Sequence, residues 1–233
     1  MRLNLESLIN FKIIAKDGEI GKVKDFYFDD QSWMLRYLVV QTGSWLLGRR
    51  VLLAFASVKK VDCDNGSFTV DLTCDQVKKS PDIDTDKPVY RQHEMELHSH
   101  YMLPAYWMDS PGIIWGINDY SVAEMEKLYE KESEAEEEPE EEEKENLHLR
   151  STQKIMDYLI HAQDGEIGHV AGFIVNNRSW KLRELVIDTR NLLAGRKVLL
   201  PVSKVQLIQW INSEVYVNVK RDDIIGSPEY EEE

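Results

Sequence analysis

A stretch of this chain repeats itself 147 residues later. Asp17-Gly18-Glu19-Ile20-Gly21 returns as Asp164-Gly165-Glu166-Ile167-Gly168. The register holds without a gap through Ser32-Trp33 and Ser179-Trp180, Leu35-Arg36 and Leu182-Arg183, Gly48-Arg49 and Gly195-Arg196, and Ser80-Pro81 and Ser227-Pro228. Between Asp17 and Val58, 21 of 42 aligned positions are identical, which chance does not produce. The period is several times longer than a solenoid repeat, so each copy is expected to be a domain in itself.

Each copy reads as short strands. Val23, Phe26 and Phe28, like Val170, Phe173 and Val175, sit in stretches rich in β-branched and aromatic residues. Asp29-Asp30 and Asn176-Asn177 follow, side chains that tolerate the left-handed backbone of a tight turn. Further strands run over residues 35–41 and 182–188, then around Val51-Leu52-Leu53. Asn65-Gly66 is the strongest hairpin signal, with Asn212-Ser213 in its place in the second copy. Asp75 and Asp222 read as N-caps of a short helix before each Ser-Pro. Gly21 and Gly168 are expected where strands bulge or cross closely. Five or six antiparallel strands in about seventy-five residues suit a small barrel that covers its own edges.

The predicted architecture is therefore mainly β. Two small antiparallel barrels, 1–82 and 149–233, flank an aromatic-rich, partly helical connector over 83–120. Residues 121–148 complete the link as an amphipathic helix and a disordered acidic linker. Ser121-x-x-Glu124 is a capping box for that helix, with Val122, Met125, Leu128 and Tyr129 on one side. Residues 88–103 are expected to be partly helical, ending at Pro104.

The net charge of −14 is concentrated. Residues 124–145 hold thirteen Glu and three Lys, and the tail holds Glu229, Glu231, Glu232 and Glu233, so the folded parts are neutral. Nucleic-acid binding normally needs a basic face, which a neutral body lacks. The opening residues are too polar for a secretory leader, and the longest apolar run, Val51 to Ala56, is too short to cross a bilayer. Two cysteines, Cys63 and Cys74, fit reduced thiols. The expectation is a cytoplasmic protein without membrane insertion.

The repeated motifs carry a resemblance. Asp-Gly-Glu-Ile-Gly, then Ser-Trp-x-Leu-Arg-x-Leu-Val, then Gly-Arg-Arg/Lys-Val-Leu-Leu resemble the PRC-barrel family over residues 8–81 and again over 155–228. That module is found in the cytoplasmic part of the photosynthetic reaction centre H subunit and at the C-terminus of a ribosome maturation factor. Residues 84–94 and 101–107 look like the connector of tandem PRC-barrel proteins. The resemblance implies a docking or assembly module with no common catalytic residues. Two departures weigh on the analogy: the H subunit places a transmembrane helix before its barrel, and the maturation factor carries a different N-terminal domain.

Candidate chemistry is sparse. His93, His98 and His100 with Glu94 and Glu96 invite a metal, but His93 and His98 are five residues apart, about 140° around a helix. Asp17 with Glu19, and Asp164 with Glu166, sit in glycine-flanked turns where Asp is good turn chemistry. No metal, cofactor or catalytic residue is therefore expected. Arg49-Arg50 and Arg196-Lys197 are a repeated basic pair, able to hold an anion or to pair internally with Glu19 or Glu166. Tyr101, Tyr106, Trp107 and Trp115 are too much aromatic surface to leave in water. These eight residues are the candidate interaction surface. The function read from the sequence is non-enzymatic protein interaction or assembly, with self-association open. The rival readings are an RNA- or ribosome-associated factor and a soluble partner of a membrane photosynthetic or electron-transfer complex.

Like charges along the acidic run repel and no apolar face persists beyond Tyr129, so this run contributes little to stability. Deleting residues 134–145 is expected to leave the melting temperature nearly unchanged by calorimetry; a large drop would show that the run packs on folded structure.

Overall fold

The computed structural model describes residues 2–46, 48–81, 91–103, 106, 148–189 and 196–231. Met1–Val89 and His148–Glu233 together form one compact unit, and Tyr90–Leu147 forms another. The two repeats thus share a unit.

The fold is mainly β, with two seven-stranded sheets. Repeat 1 supplies β1 (Arg2–Asn4), β2 (Lys12–Ile14), β3 (Glu19–Asp29), β4 (Leu35–Thr42), β5 (Arg50–Ala54), β6 (Val58–Asp62) and β7 (Ser67–Val70), then helix α1 (Cys74–Lys78). Helix α2 (Arg91–His100) belongs to the other unit. Repeat 2 supplies β8 (Leu149–Ser151), helix α3 (Thr152–Ile155), β9 (Leu159–Ala162), β10 (Gly165–Asn176), β11 (Leu182–Asp188), β12 (Lys197–Pro201), β13 (Val205–Gln209), β14 (Glu214–Val217) and helix α4 (Arg221–Ile225). The sheet orders β5-β4-β3-β2-β7-β6 and β12-β11-β10-β9-β14-β13 are the same order shifted by one repeat.

One expectation needs correction. The strands are not all antiparallel: β2 pairs with β7, and β9 with β14, in parallel. Turn residues announce hairpins, which are antiparallel by construction. The pairing of a repeat's early strand with its last has no local signal, because it closes the roll across some fifty residues of chain.

The exchanged strands are the other feature the repeat alone does not announce. β3 is 11 residues long, but β2 is only 3 and pairs near its start. The rest of that edge, Tyr27 to Asp29, pairs with β8 of the second repeat. Reciprocally, Ile174 to Asn176 at the end of β10 pair with β1 of the first. Asn4 opposite Ile174 and Ser151 opposite Tyr27 are the same pairing, 147 residues apart. The two β3–β4-type hairpins also meet: Met34 bridges Lys181, the Leu35 N–H donates to Trp180 O at 3.1 Å, and the Leu182 N–H donates to Trp33 O at 2.8 Å.

Trp33 and Trp180 reach these positions through identical turns. Each takes a left-handed backbone, φ 60° and 55°, and donates its N–H to the O of Asp29 or Asn176. The left-handed residue is thus the Trp, not the Asp or Asn. Asp29 and Asn176 accept instead, from the N–H groups of residues 31–32 and 178–179. Gly21 and Gly168 are where strands approach closest. A Cβ there would lie 2.0 Å from Gln41 O and 2.1 Å from Asp188 O.

The core fills both sheets and the joint between them. Phe26, Phe28, Tyr37, Phe68 and Phe173 are fully buried, and Phe28 meets Phe173 across the repeats at 5.7 Å. Trp180 packs on Phe55 of the other repeat at 5.0 Å.

Because each half completes the other's sheet, residues 1–89 and 148–233 expressed as separate chains are expected to co-purify as a 1:1 complex. Recovery of two stable, independent monomers by light scattering would contradict the exchange.

Candidate interaction surface

The repeated basic residues serve the fold. Arg49 donates from Nη2 to Ser80 O and Oγ at 3.0 and 2.9 Å, and Arg196 pairs with Glu229 at 3.2 Å. Both tie down the end of their own repeat beside the Ser-Pro. Glu19, an expected partner, pairs instead with Lys12. Arg50 is exposed opposite Gln41, and Lys197 lies half-buried with its carbonyl accepting from the Tyr230 N–H.

The turn carboxylates have a role that spacing alone did not show. Asp17 Oδ1 accepts from the Cys74 N–H and Asp164 Oδ1 from the Arg221 N–H, each at 2.8 Å. Each therefore caps a helix 57 residues downstream. The Cys74 hydrogen bond holds the Asp17 carboxyl below its ordinary value. Burial and then Asp17 push the Cys74 thiol up. Asp75 and Asp222 are not the N-caps: Thr73 and Lys220 hold that position, and Gln76 and Asp223 close back on their N–H groups.

In the unit Tyr90–Leu147, α2 ends with Met102 left-handed at φ 51°. Glu94, Leu97, His98 and Tyr101 are buried, and Tyr106 donates its hydroxyl to Glu94. Tyr101 is thus core rather than surface. Trp107 and Trp115, the capping box at Ser121 and the acidic run lie outside the described residues.

The surface where the repeats differ is the outer face of β9, β14 and β13. Cross-strand rows place Leu159 beside Glu214 and Gln209, and His161 beside Tyr216 and Leu207. Ile160, Val215 and Ile208 of the intervening row are buried on the opposite face. Leu159, Leu207 and Ile211 are 40, 52 and 91% exposed. His161 stacks on Tyr216 at 5.0 Å, and Glu214 takes the Tyr216 hydroxyl at 2.6 Å. The same rows in repeat 1 carry Lys12, Ser67 and Asp62, then Ile14, Thr69 and Lys60. There Lys12–Glu19 and Lys60–Asp62 ion pairs cover the face. Sequence reasoning could have found this by comparing the repeats where they differ instead of where they agree.

Asp25 marks a second asymmetry. Its carboxylate accepts from Ser151 Oγ at 2.5 Å, Thr152 Oγ1 at 2.9 Å, the Gln153 N–H at 3.0 Å and the Phe26 N–H at 2.7 Å. Three of these donors belong to the other repeat. Gly172 stands at the equivalent position of repeat 2.

Residues 2–77 match the PRC-barrel domain, so repeat 1 carries this domain. That agrees with a general role in interaction or assembly. No curated protein sequence matches the chain. Among the described residues no helix is long and apolar enough to cross a membrane.

Burial raises the Asp25 pKa, against the opposing pull of its donors. The folded chain then keeps a proton that the unfolded chain has released, so stability falls as pH rises from the ordinary carboxylate value to the raised one. Asp25→Asn is expected to remove this slope from urea-derived stability between pH 4 and 7. Asp25→Ala, which strands buried donors, is expected to cost about 2–3 kcal/mol.

Proposed function

We propose that the chain is a non-catalytic docking protein built from tandem PRC barrels, which presents the outer face of β9, β14 and β13 to a protein partner. The observation that carries this is the exchange of charge for apolar surface between two copies of one module. On this face repeat 1 has Lys12 and Lys60 where repeat 2 has Leu159 and Leu207, and in the adjoining hairpin turn Asp64 gives way to the exposed Ile211. Exposed apolar side chains clustered on one face mark a contact surface more than scattered ones do. A neutral folded body supports a protein partner over nucleic acid. The reading of the protein as non-catalytic draws on the same structure. Asp17 and Asp164 are engaged as helix caps and Asp25 as a joint, each by donors that hold the fold.

The test replaces this face with its counterpart. The full chain and the variant Leu159→Lys/Leu207→Lys/Ile211→Asp are used to capture proteins from the native cell. The parent is expected to retain a defined set that the variant loses while melting at nearly the same temperature. An unchanged set would remove this face from the mechanism of docking.

A further inference from the structure

The second sheet ends on β12, and the chain covers that edge with a strap of its own, Ser227–Tyr230. The strap runs antiparallel to β12, with Glu229 opposite Val198. The Leu199 N–H donates to Pro228 O and the Tyr230 N–H to Lys197 O, each at 2.9 Å. Farther along the same edge stands Pro201, which has no N–H to continue the ladder. The edge therefore accepts a short segment.

Each side chain of the strap meets a matching group. Tyr230 packs against the buried cluster Ile174, Val186 and Leu199. Its hydroxyl accepts from Asn4 Nδ2 at 2.6 Å, and Asn4 is turned that way because its Oδ1 takes the Glu6 N–H. Glu229 stands 3.2 Å from Arg196 Nε. A carboxylate, an aromatic ring and a phenolic oxygen on two consecutive residues are thus all recognised.

The strap is held lightly. In repeat 1 the equivalent arginine, Arg49, grips the Ser-Pro turn through Ser80, which is buried. In repeat 2 Ser227 Oγ donates back to Asp223 O, and Arg196 meets Glu229 with the two side chains 39 and 56% exposed. Such exposed ion pairs contribute little. Pro228 and Glu229 are exposed, and Ser227 and Tyr230 only half-buried. Two backbone bonds and one half-buried ring stand against the entropy of ordering four residues. That balance suits a segment that opens locally while its sheet stays folded.

We propose that the β12 edge and the apolar cluster beside it form a strand-docking site for an extended segment of a partner protein, one that carries an acidic residue followed by tyrosine. Ser227–Tyr230 fills the site in cis until such a segment displaces it. The main chain of an added strand supplies affinity, and the side-chain contacts supply specificity. Arg196 selects the carboxylate, the cluster selects the ring, and Asn4 distinguishes tyrosine from phenylalanine. The strap lowers the apparent affinity in proportion to the fraction of time the site is closed. This inference rests on the docking reading but does not use the β9, β14 and β13 face, so either surface can fail alone.

The experiment is amide NMR on the full chain and on a chain lacking residues 227–233, with the peptide acetyl-Ser-Pro-Glu-Tyr-Glu-amide as probe. In the full chain without probe, the Leu199 and Tyr230 amides are expected to exchange with solvent about a hundredfold faster than Val198, which pairs with β11. The probe is expected to give saturable shifts at Lys197, Leu199 and the Asn4 side-chain amide of the shortened chain. The full chain is expected to respond at the same residues, but at least about tenfold more weakly. Phenylalanine in place of the probe's tyrosine is expected to weaken binding about threefold to tenfold, the worth of one hydrogen bond. Lysine in place of its first glutamate is expected to abolish saturation. Protection of Leu199 equal to that of Val198, or a shortened chain that loses its folded spectrum, would make the strap part of the core and overturn the proposal. So would a shortened chain that binds no probe, or equal affinity with and without the strap. Undiminished binding of the lysine peptide, or a full chain that doubles in mass on concentration by light scattering, would overturn the choice of occupant. Both chains keep Leu159, Leu207 and Ile211, so the capture experiment reads the other face independently.

Discussion

The reciprocal pairing of β1 with β10 and of β8 with β3 organises the structure. β10 is 12 residues long and β9 only 4, so the shorter strand cannot satisfy the longer one's edge. An open ladder edge is a liability that folds must cover. Here each repeat covers the other's. Three-residue strands hold weakly by themselves. The chain just after each one reinforces it: Leu5 and Leu8 follow β1, and Ile155 follows β8, all fully buried. The exchanged strands are therefore anchored by hydrophobic burial as well as by hydrogen bonds, and the two sheets belong to one compact unit.

That arrangement sorts the positions of the repeat into two kinds. Residues that hold the sheets and their approximate twofold relation are identical in both copies. Trp33 and Trp180 turn the hairpins, Leu35 and Leu182 bond across the axis, and Gly21 and Gly168 admit a carbonyl where no Cβ fits. Asp17 and Asp164 reach across the module to cap its last helix. Positions facing outward or lining the joints diverge: Lys60 against Leu207, Lys12 against Leu159, Cys63 against Trp210, Leu3 against Arg150. Geometry demands sameness in the first group and places no such demand on the second.

The same division explains what could be read without coordinates. Hairpins and turns were legible because they rest on local chemistry. Asn65-Gly66 makes its turn with Gly66 at φ 59°, and Ser213 takes the equivalent place at φ 56°. The parallel pairs β2–β7 and β9–β14 were not legible, since no residue pattern fixes which distant strand lies beside a short one. The helix caps were misplaced for a related reason. Asp75 and Asp222 have the residue type of an N-cap, yet Thr73 and Lys220 occupy the position, and the carboxylates of Asp17 and Asp164 supply the long-range acceptors. Arg49 and Arg196 stood out, as a candidate interaction surface or as internal ion-pair partners, because they repeat. They repeat because each repeat needs its end fastened.

Asp25 adds a directional preference to this symmetric plan. On β3 it faces Ser151, Thr152 and Gln153, which bring two hydroxyls and an N–H to one half-buried carboxylate. Were β1 to lie on β3 instead, the same register would bring Asn4, Leu5 and Glu6 to that carboxylate. Both hydroxyls would be lost, and a second carboxylate would stand near the first. Repeat 2 has Gly172 there, with Asn4 Oδ1 4.0 Å from where its Cβ would stand. Buried polar groups are costly when unmatched, so one satisfied carboxylate can disfavour a wrong pairing more strongly than it stabilises the right one. Asp25 therefore favours the union of unlike repeats over a pairing of repeat 1 with itself. Once unlike repeats are locked together, their outer faces can diverge without disturbing the joint, which is the condition that lets one module present a charged surface and an apolar surface at once.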